Sequence, residues 1–449
     1  MHRLFLCCLA AMAVPCSARA QYPSTYARHS YPPVAITNAT IMTAAGGEIA
    51  HGSIVLRDGR IVGVGTDVQV PPDALRVDGT GKYVTPGIID PHSHLGVYAA
   101  PGTDAESDGN ELTNPVTAEV WAEHSFWPQD PQIPLAIAGG VTTIQVLPGS
   151  GNLIGGRSAI LKLIPARTVQ EMKFPGAHSG LKMACGENPK RVYGQRNQAP
   201  STRMGNMAGY RGAFILAEAY RRKWDAWNST EHKGDPPERN LRLETLAEVL
   251  RGNMYVQNHC YRADEMAQML DLAREFGFQI HAFHHAVEAY KVADLLAQAG
   301  TAAVVWADWY GFKEEAMDGI QQNAALLQRA GARVSLHSDD PGGIQRMNQE
   351  AAKAMYDGQR AGIPVTRDQA LRWITANPAW VLGIDSIAGT LEAGKMADVV
   401  VWSGDPFSIY TIALQVYNDG WLVYDRDDPA HQPRSDFELN QVPAPDSDR

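Results

Sequence analysis

The chain predicts an α/β fold: a (β/α)8 TIM-like barrel with a small discontinuous β-sandwich formed by both chain ends. Three observations predict it. Between residues 86 and 383, short apolar runs alternate with helical patterns, the mark of βα units around a parallel sheet. Ionisable side chains recur at the C-terminal ends of those runs, where a parallel barrel gathers its chemistry on one face. Strand-and-turn signals occupy both flanks, residues 21–85 and 384–430. With 449 residues, 45% of them apolar and 20% charged, the chain is too apolar for a disordered protein and too long for a small stapled scaffold.

Residues 1–20 read as an export signal, with Arg3 as the positive region, Leu4 to Pro15 as the apolar core and Ala18-Arg19-Ala20 as a small-residue cleavage site. The alternative is a buried N-terminal helix. Cleavage starts the mature chain at Gln21, and the expectation is a periplasmic or secreted protein. Losing Arg3 and Arg19 leaves 37 basic against 49 acidic side chains, a mature net charge of −12. That balance, without any Lys/Arg run, argues against nucleic acid as a partner. No later stretch of about 18 apolar residues offers a membrane span.

The first flank carries Val34-Ala35-Ile36, Ile54-Val55-Leu56, the tight turn Asp58-Gly59 and Ile61 to Val64, an antiparallel pattern. The second carries Asp398 to Trp402, the turn Asn418-Asp419-Gly420 and Trp421 to Tyr424. Between them stand eight strand candidates: 88–90, 141–147, 159–163, 181–184, 254–258, 279–283, 303–307 and 333–337. Leu243, Leu246, Ala247 and Leu250 have helical spacing, as do Met266, Met269, Leu270 and Ala273, and Ala289, Val292, Ala293 and Leu296. Met204, Met207, Met266 and Met269 read as core. An open doubly wound sheet is the alternative architecture. Thr103 to Asn114 and Pro189 to Arg203 lack a period and read as long loops on the active face, and residues 431–449 form a polar tail.

Cys185 and Cys260 are the cysteines of the mature chain. Export permits a disulfide, but if Glu187 and His259 both point inward, period-two alternation turns Cys185 inward and Cys260 outward. Two free thiols are therefore expected.

The strongest local signal is Asp90-Pro91-His92-Ser93-His94 after an apolar run, since period two puts His92 and His94 on one side of a strand, within reach of one metal ion. Later strand ends add Glu187, His259, His284-His285 and His337-Ser338-Asp339-Asp340. Strand alternation turns Asp340 away from Asp339, and His337, on the same face as Asp339, is placed to orient a ligand. This nitrogen and oxygen donor set, without thiolate, suits Zn²⁺, Mn²⁺ or similar ions. Arg191, Tyr193 and Arg203 follow the fourth candidate strand, where an Arg can grip a carboxylate. Trp306 and Trp309 either wall an apolar pocket or cover the barrel rim. His124, His178, His232 and His431 are isolated in sequence and read as structural or solvated.

The segment from Val84 to His94 resembles the first-strand motif of the metal-dependent amidohydrolase superfamily, and the segment from Gly389 to Val400 resembles its return into the β-sandwich. The similarity runs from about Val34 to Tyr424 and points to the imidazolonepropionase-like and exported dipeptidase-like branch. It implies that His92, His94 and Asp339 bind the more buried of one or two ions, and that Glu187 bridges or holds one. His259 and His285 then hold a second ion or orient the substrate. His281 and His284 compete with His285, which the resemblance favours because it precedes Ala286 to Lys291, and a carboxylated Lys182 competes with Glu187. The resemblance implies hydrolysis of a C–N amide bond, linear or cyclic, in a small molecule or dipeptide, with Asp339 as proton shuttle. A metallodipeptidase of Xaa-Pro type and a non-catalytic binding protein on the same fold are the competing readings, and a homo-oligomer is compatible with all of them.

Overall fold

The structure, a computed structural model, describes residues 22–230 and 232–433; residues 1–20, expected as an export signal, and the tail beyond residue 433 lie outside the described residues. Eight strands drawn from both chain ends make one sheet. They are β1 (Val34–Met42), β2 (Glu48–Arg57), β3 (Arg60–Gly65), β4 (Leu75–Asp78) and β5 (Tyr83–Pro86) from the N-terminal side. The barrel strands follow as β6 (Ile88–Ser93), β7 (Val141–Val146), β8 (Ile154–Arg157), β9 (Ala159–Lys162), β10 (Gly180–Ala184), β11 (Tyr255–Cys260), β12 (Ile280–His285), β13 (Ala302–Val305) and β14 (Val334–Leu336). β15 (Val399–Trp402), β16 (Ala413–Asn418) and β17 (Trp421–Asp425) return to the first sheet.

That sheet runs β17-β16-β15-β5-β1-β2-β3, with β4 on β1. The two ends of the chain meet where β15 pairs antiparallel with β5, from Val399 opposite Pro86 to Trp402 opposite Tyr83. Its hairpins close through Asp58-Gly59 and Asp419-Gly420, all four residues at positive φ, the mirror-image turn that matches strand twist. Ile36, Ile54, Leu56, Val399, Val401 and Tyr417 bury a core of their own.

In the barrel, β6 and β7 pair in parallel, and so do β10 to β14 in succession. The third candidate strand, 159–163, forms as β9 but runs antiparallel to β7, while β8 just before it runs antiparallel to β10. This corrects the expectation of eight parallel strands. Between β7 and β8 lie only residues 147–153, too few for the dozen or so a parallel crossover needs, so the chain returns as a kinked ribbon that fills the gap between β7 and β10. The ring closes where Ser338 Oγ donates to Asp90 Oδ2 (2.5 Å) and the Asp339 amide donates to the His92 carbonyl (3.2 Å).

The helices bury the faces their spacing implies: Leu246, Met266, Met269 and Leu296 join the core shared with the barrel strands, and Ala247 is buried beside them. Met204 is the exception, 80% exposed, because it stands in the first turn of the helix Arg203–Ser229 and faces water. The segment expected as a loop from Pro189 opens instead inside the helix Glu187–Gly194. A buried ion cluster ties barrel to sheet: Lys162 Nζ donates to Asp398 Oδ1 (3.0 Å) and Asp419 Oδ1 (3.1 Å), and Tyr26 donates to Asp419. Among the described residues no helix is long and apolar enough to cross a membrane.

The cysteines are not free. Cys185 and Cys260 form a disulfide with Cα atoms 5.3 Å apart. Alternation cannot be counted back from Glu187, because β10 ends at Ala184 and Gly186 at φ 81° turns the chain into a helix. The register instead sets Ala184 opposite His259, so Cys185 and Cys260 continue side by side on neighbouring strands and face the same way.

Candidate active site

At the C-terminal mouth of the barrel, β6 brings His92 and His94 to Asp339. The Nε2 atoms of His92 and His94 lie 3.3 and 3.2 Å from Asp339 Oδ1, and His285 Nδ1 lies 3.8 Å from Asp339 Oδ2. His92, His94 and Asp339 form one donor group with ligand atoms within 4.8 Å of one another; His92, His285 and His337 form a second. Strand alternation does not account for two of these positions. His285 (φ 66°) and Asp339 (φ 57°) sit in the left-handed region, which turns His285 inward beside His284 and aims Asp339 at β6 beyond the end of β14. Asp340 is not set by alternation either: its carboxylate accepts from the Gly343 amide (2.5 Å) and caps the following turn.

The second layer fixes which nitrogens face the centre. His94 Nδ1 lies 2.9 Å from the Leu147 carbonyl, an acceptor only, so Nδ1 carries the proton and Nε2 presents its lone pair. For His92 the chain of reasoning is longer. Gln257 Nε2 donates to the Val381 carbonyl (3.2 Å), leaving Oε1 to accept from His284 Nε2 (2.7 Å). His284 Nδ1 must then accept from His92 Nδ1 (2.9 Å), and His92 Nε2 is left unprotonated toward Asp339. Gln257 is a positioning residue that sequence reading missed, the available signal being that it stands two residues before His259, on the same strand face; His284, weighed there as a rival ligand to His285, positions His92 instead.

Burial pushes His92, His259, His284 and His285 well below the usual imidazole range, with nearby Lys182 and neighbouring rings adding to it. The same cause lowers His337 to about 3. Burial would raise Asp339, but its contacts with His94, His337 and Lys182 hold it below the usual carboxylate range. Asp90 is pushed by burial up to about 7, against hydrogen bonds from Ser338 and the His92 amide. His92, His259, His284, His285 and His337 are thus neutral imidazoles gathered near one carboxylate. His259 Nδ1, His285 Nδ1 and both nitrogens of His337 are buried without a hydrogen-bond partner, a costly state that a divalent cation relieves. The donors fit such an ion.

The two candidates on the fourth strand are placed differently. Lys182 is fully buried inside the barrel, its Nζ donating to the Pro148 carbonyl (2.9 Å) and 3.4 Å from His92 Nε2, and burial lowers its amine to about 7. Glu187 opens a helix at the rim, paired with Lys313 Nζ at 3.3 Å, and belongs to neither donor group. His259 faces His285 edge-on at 4.5 Å between ring centroids. His281 stacks between Tyr255 and Trp380 at 4.0 and 4.2 Å, away from the centre.

Of the three residues expected to hold substrate, Arg191 is exposed on the helix Glu187–Gly194. Tyr193 is buried, donating to the Asn114 carbonyl (2.7 Å) and accepting from Asn152 (3.0 Å), a structural tie. Arg203 pairs with Glu265 (3.0 Å) and Glu315 and lines an open polar cavity of about 900 Å³ with Glu187, Lys190 and Arg262. None of the clustered histidines lines that cavity.

Comparison with known proteins agrees with this geometry. Residues 285–424 match the Amidohydrolase family. The chain is 34% identical over 422 residues to the amidohydrolase tasK of Hapsidospora irregularis, covering 88% of this chain but only 42% of that protein. It is 27% identical to the imidazolonepropionase of Sphingopyxis alaskensis, covering 82% of this chain and 92% of the relative. The solved structure of an amidohydrolase from Thermotoga maritima superposes with a TM-score of 0.82 at 36% identity, covering 88% of this chain and all of that one. A relative this similar along its whole length, together with the histidine and aspartate cluster at the barrel mouth, makes the chain a member of the amidohydrolase superfamily, in its imidazolonepropionase-like branch, and a hydrolase acting on carbon–nitrogen bonds.

Proposed function

We propose that the protein is an exported, zinc-type hydrolase that cleaves the amide C–N bond of a small molecule or dipeptide, linear or cyclic. The observation that carries this reading is the convergence of His92 Nε2 and His94 Nε2 on Asp339, with protons directed away from the centre. His92, His94 and Asp339 would hold the first ion. His285, His337 and His259 supply the unpartnered nitrogens for a second ion or for the substrate. On β10 the strand position that faces the centre is Lys182, so we assign the fourth-strand ligand to its carboxylated form and leave Glu187 at the rim. When bound, a divalent ion lowers the pKa of water toward about 7 and polarises the substrate carbonyl.

The residues of the chain do the rest. Asp339 takes one proton from the attacking water and returns it to the departing nitrogen, so that the C–N bond breaks to give a carboxylate and a free amine. Gln257 and His284 hold His92 in the tautomer that keeps Nε2 available. Trp306, 8% exposed and 4.5 Å from His285, shields the centre from bulk water.

Export is supported by the Cys185–Cys260 disulfide, a bond that persists in oxidising compartments. The separate core under β1 to β5 and β15 to β17 supports reading the two-ended sheet as the small β-sandwich domain. The imidazolonepropionase relatives point to a cyclic amide, while a dipeptide fits the same chemistry. The test is a screen of zinc-loaded protein against N-acyl amino acids, Xaa-Pro dipeptides and cyclic amides, paired with metal analysis. One to two ions per chain and turnover of at least one amide class are expected. Metal content near zero after purification without chelator overturns the proposal.

A further inference from the structure

After β13 the chain places Trp306, Trp309, Tyr310 and Phe312 within seven residues. Trp306 is the anchor. Its ring lies 4.5 Å from His285 and 4.9 Å from His337, and its Nε1–H donates to the Ser338 carbonyl (3.3 Å), so its plane is fixed beside the histidine cluster. Tyr261 continues this wall, 4.5 Å from the His259 ring and 6.3 Å from Trp306. Outward, Trp309 and Phe312 meet Trp306 edge-on at 5.5 and 5.7 Å. They are 49% and 56% exposed, with Tyr310 beside them at 39%.

Single exposed apolar side chains need no explanation, but several aromatic rings in continuous contact, running from a polar centre out to solvent, are what a ligand pocket presents. Lys313, the cation against these rings, is already committed: its Nζ sits 4.2 Å from the Tyr261 ring centroid and is held by Asn188 Oδ1 (3.0 Å) and Glu187 (3.3 Å). The rings of Trp306, Trp309, Phe312 and Tyr261 thus offer apolar surface suited to an uncharged group.

We propose that Trp306, Trp309, Phe312 and Tyr261 form an apolar subsite beside the histidine cluster that takes an aromatic or bulky apolar group attached to the scissile amide. The proposal rests on the amidohydrolase reading of that cluster and names its substrate class.

The test uses two amides that differ only in this group, N-phenylacetylglycine and N-acetylglycine. Binding to the zinc-loaded full chain is followed by calorimetry and tryptophan fluorescence, and hydrolysis is measured separately. Burial of one phenyl ring predicts binding of the phenyl member tighter by about tenfold or more. In the double variant Trp309→Ala/Phe312→Ala, whose two side chains are half exposed and leave the barrel core intact, the ratio should fall toward one; an unchanged thermal midpoint confirms the fold. Equal binding of the two amides to the unaltered protein, or a preference that survives in the double variant, overturns the subsite. A phenyl preference without hydrolysis of any amide in a wide panel leaves the subsite standing and overturns the catalytic reading, whereas hydrolysis without preference overturns the subsite alone.

Discussion

Removing the Cys185–Cys260 bond tests both the architecture and the compartment. The bond joins positions 75 residues apart, and it ties the end of β10 to the end of β11 directly beside His259. For a loop of that length the chain-entropy treatment gives about 4.5 kcal/mol of stabilisation through the unfolded state. With about 2.1 cal/mol/K of unfolding entropy per residue over 449 residues, that loss lowers the thermal midpoint by about 5 °C. Cys185→Ala/Cys260→Ala is the variant of choice, because both sulfurs are buried and a serine pair would bury hydroxyls without partners. Scanning fluorimetry with and without reductant should show the unaltered protein losing about 5 °C on reduction and the variant starting lower and ignoring reductant. The reasoning fails if unfolded, unreduced protein titrates as two free thiols, or if reduction leaves the midpoint unchanged.

Three further outcomes follow from the site. Asp339→Asn should lower kcat by on the order of 10²-fold with the fold intact, while Asp340→Asn, which only weakens a turn cap, should not; equal losses would mean the wrong base. Lys182→Ala should lose metal and Glu187→Ala should keep most of it, and reconstitution of the metal-free enzyme should be faster with bicarbonate; the reverse pattern in metal analysis returns the ligand role to Glu187. The metal-free protein should lose stability as pH falls from 7 to 5, followed as the urea midpoint. His92, His259, His284 and His285 titrate well below the usual imidazole range in the fold, and His337 at about 3. The unfolded chain therefore takes up protons first below about 6.5, at about 1.4 kcal/mol per pH unit for each unbalanced proton. Asp90, raised to about 7, acts in the opposite direction, as do Glu265, Glu350, Asp357 and Asp398, which burial also raises, while His281 adds to the histidines. A flat midpoint across that window would show that the imidazoles are not buried in neutral form.

The sequence by itself determined the strands and the histidines. Apolar runs of four to seven residues can do little but become buried strands, and a parallel barrel carries whatever follows them to one mouth, so His92, His94, Glu187, His259, His284-His285 and the run from His337 to Asp340 were legible as candidates, while the choice of His285 and of Asp339 as ligands came from the family resemblance. The tertiary structure decided what depends on partners distant in the chain. Whether 159–162 runs parallel or antiparallel is set by the seven-residue connection before β8 and by the strands on either side. Whether two cysteines meet is set by the register of β10 on β11, which alternation counted across Gly186 at positive φ cannot supply. The tautomer of His92 depends on Gln257, 165 positions away, acting through His284, and Lys182 stays within the regular strand while Glu187 lies beyond its end, which is the ground for proposing Lys182 as the fourth-strand ligand. Local periodicity carries a side chain's direction only as far as the strand lasts; past its end, direction is set by backbone turns and by neighbours brought near by the fold.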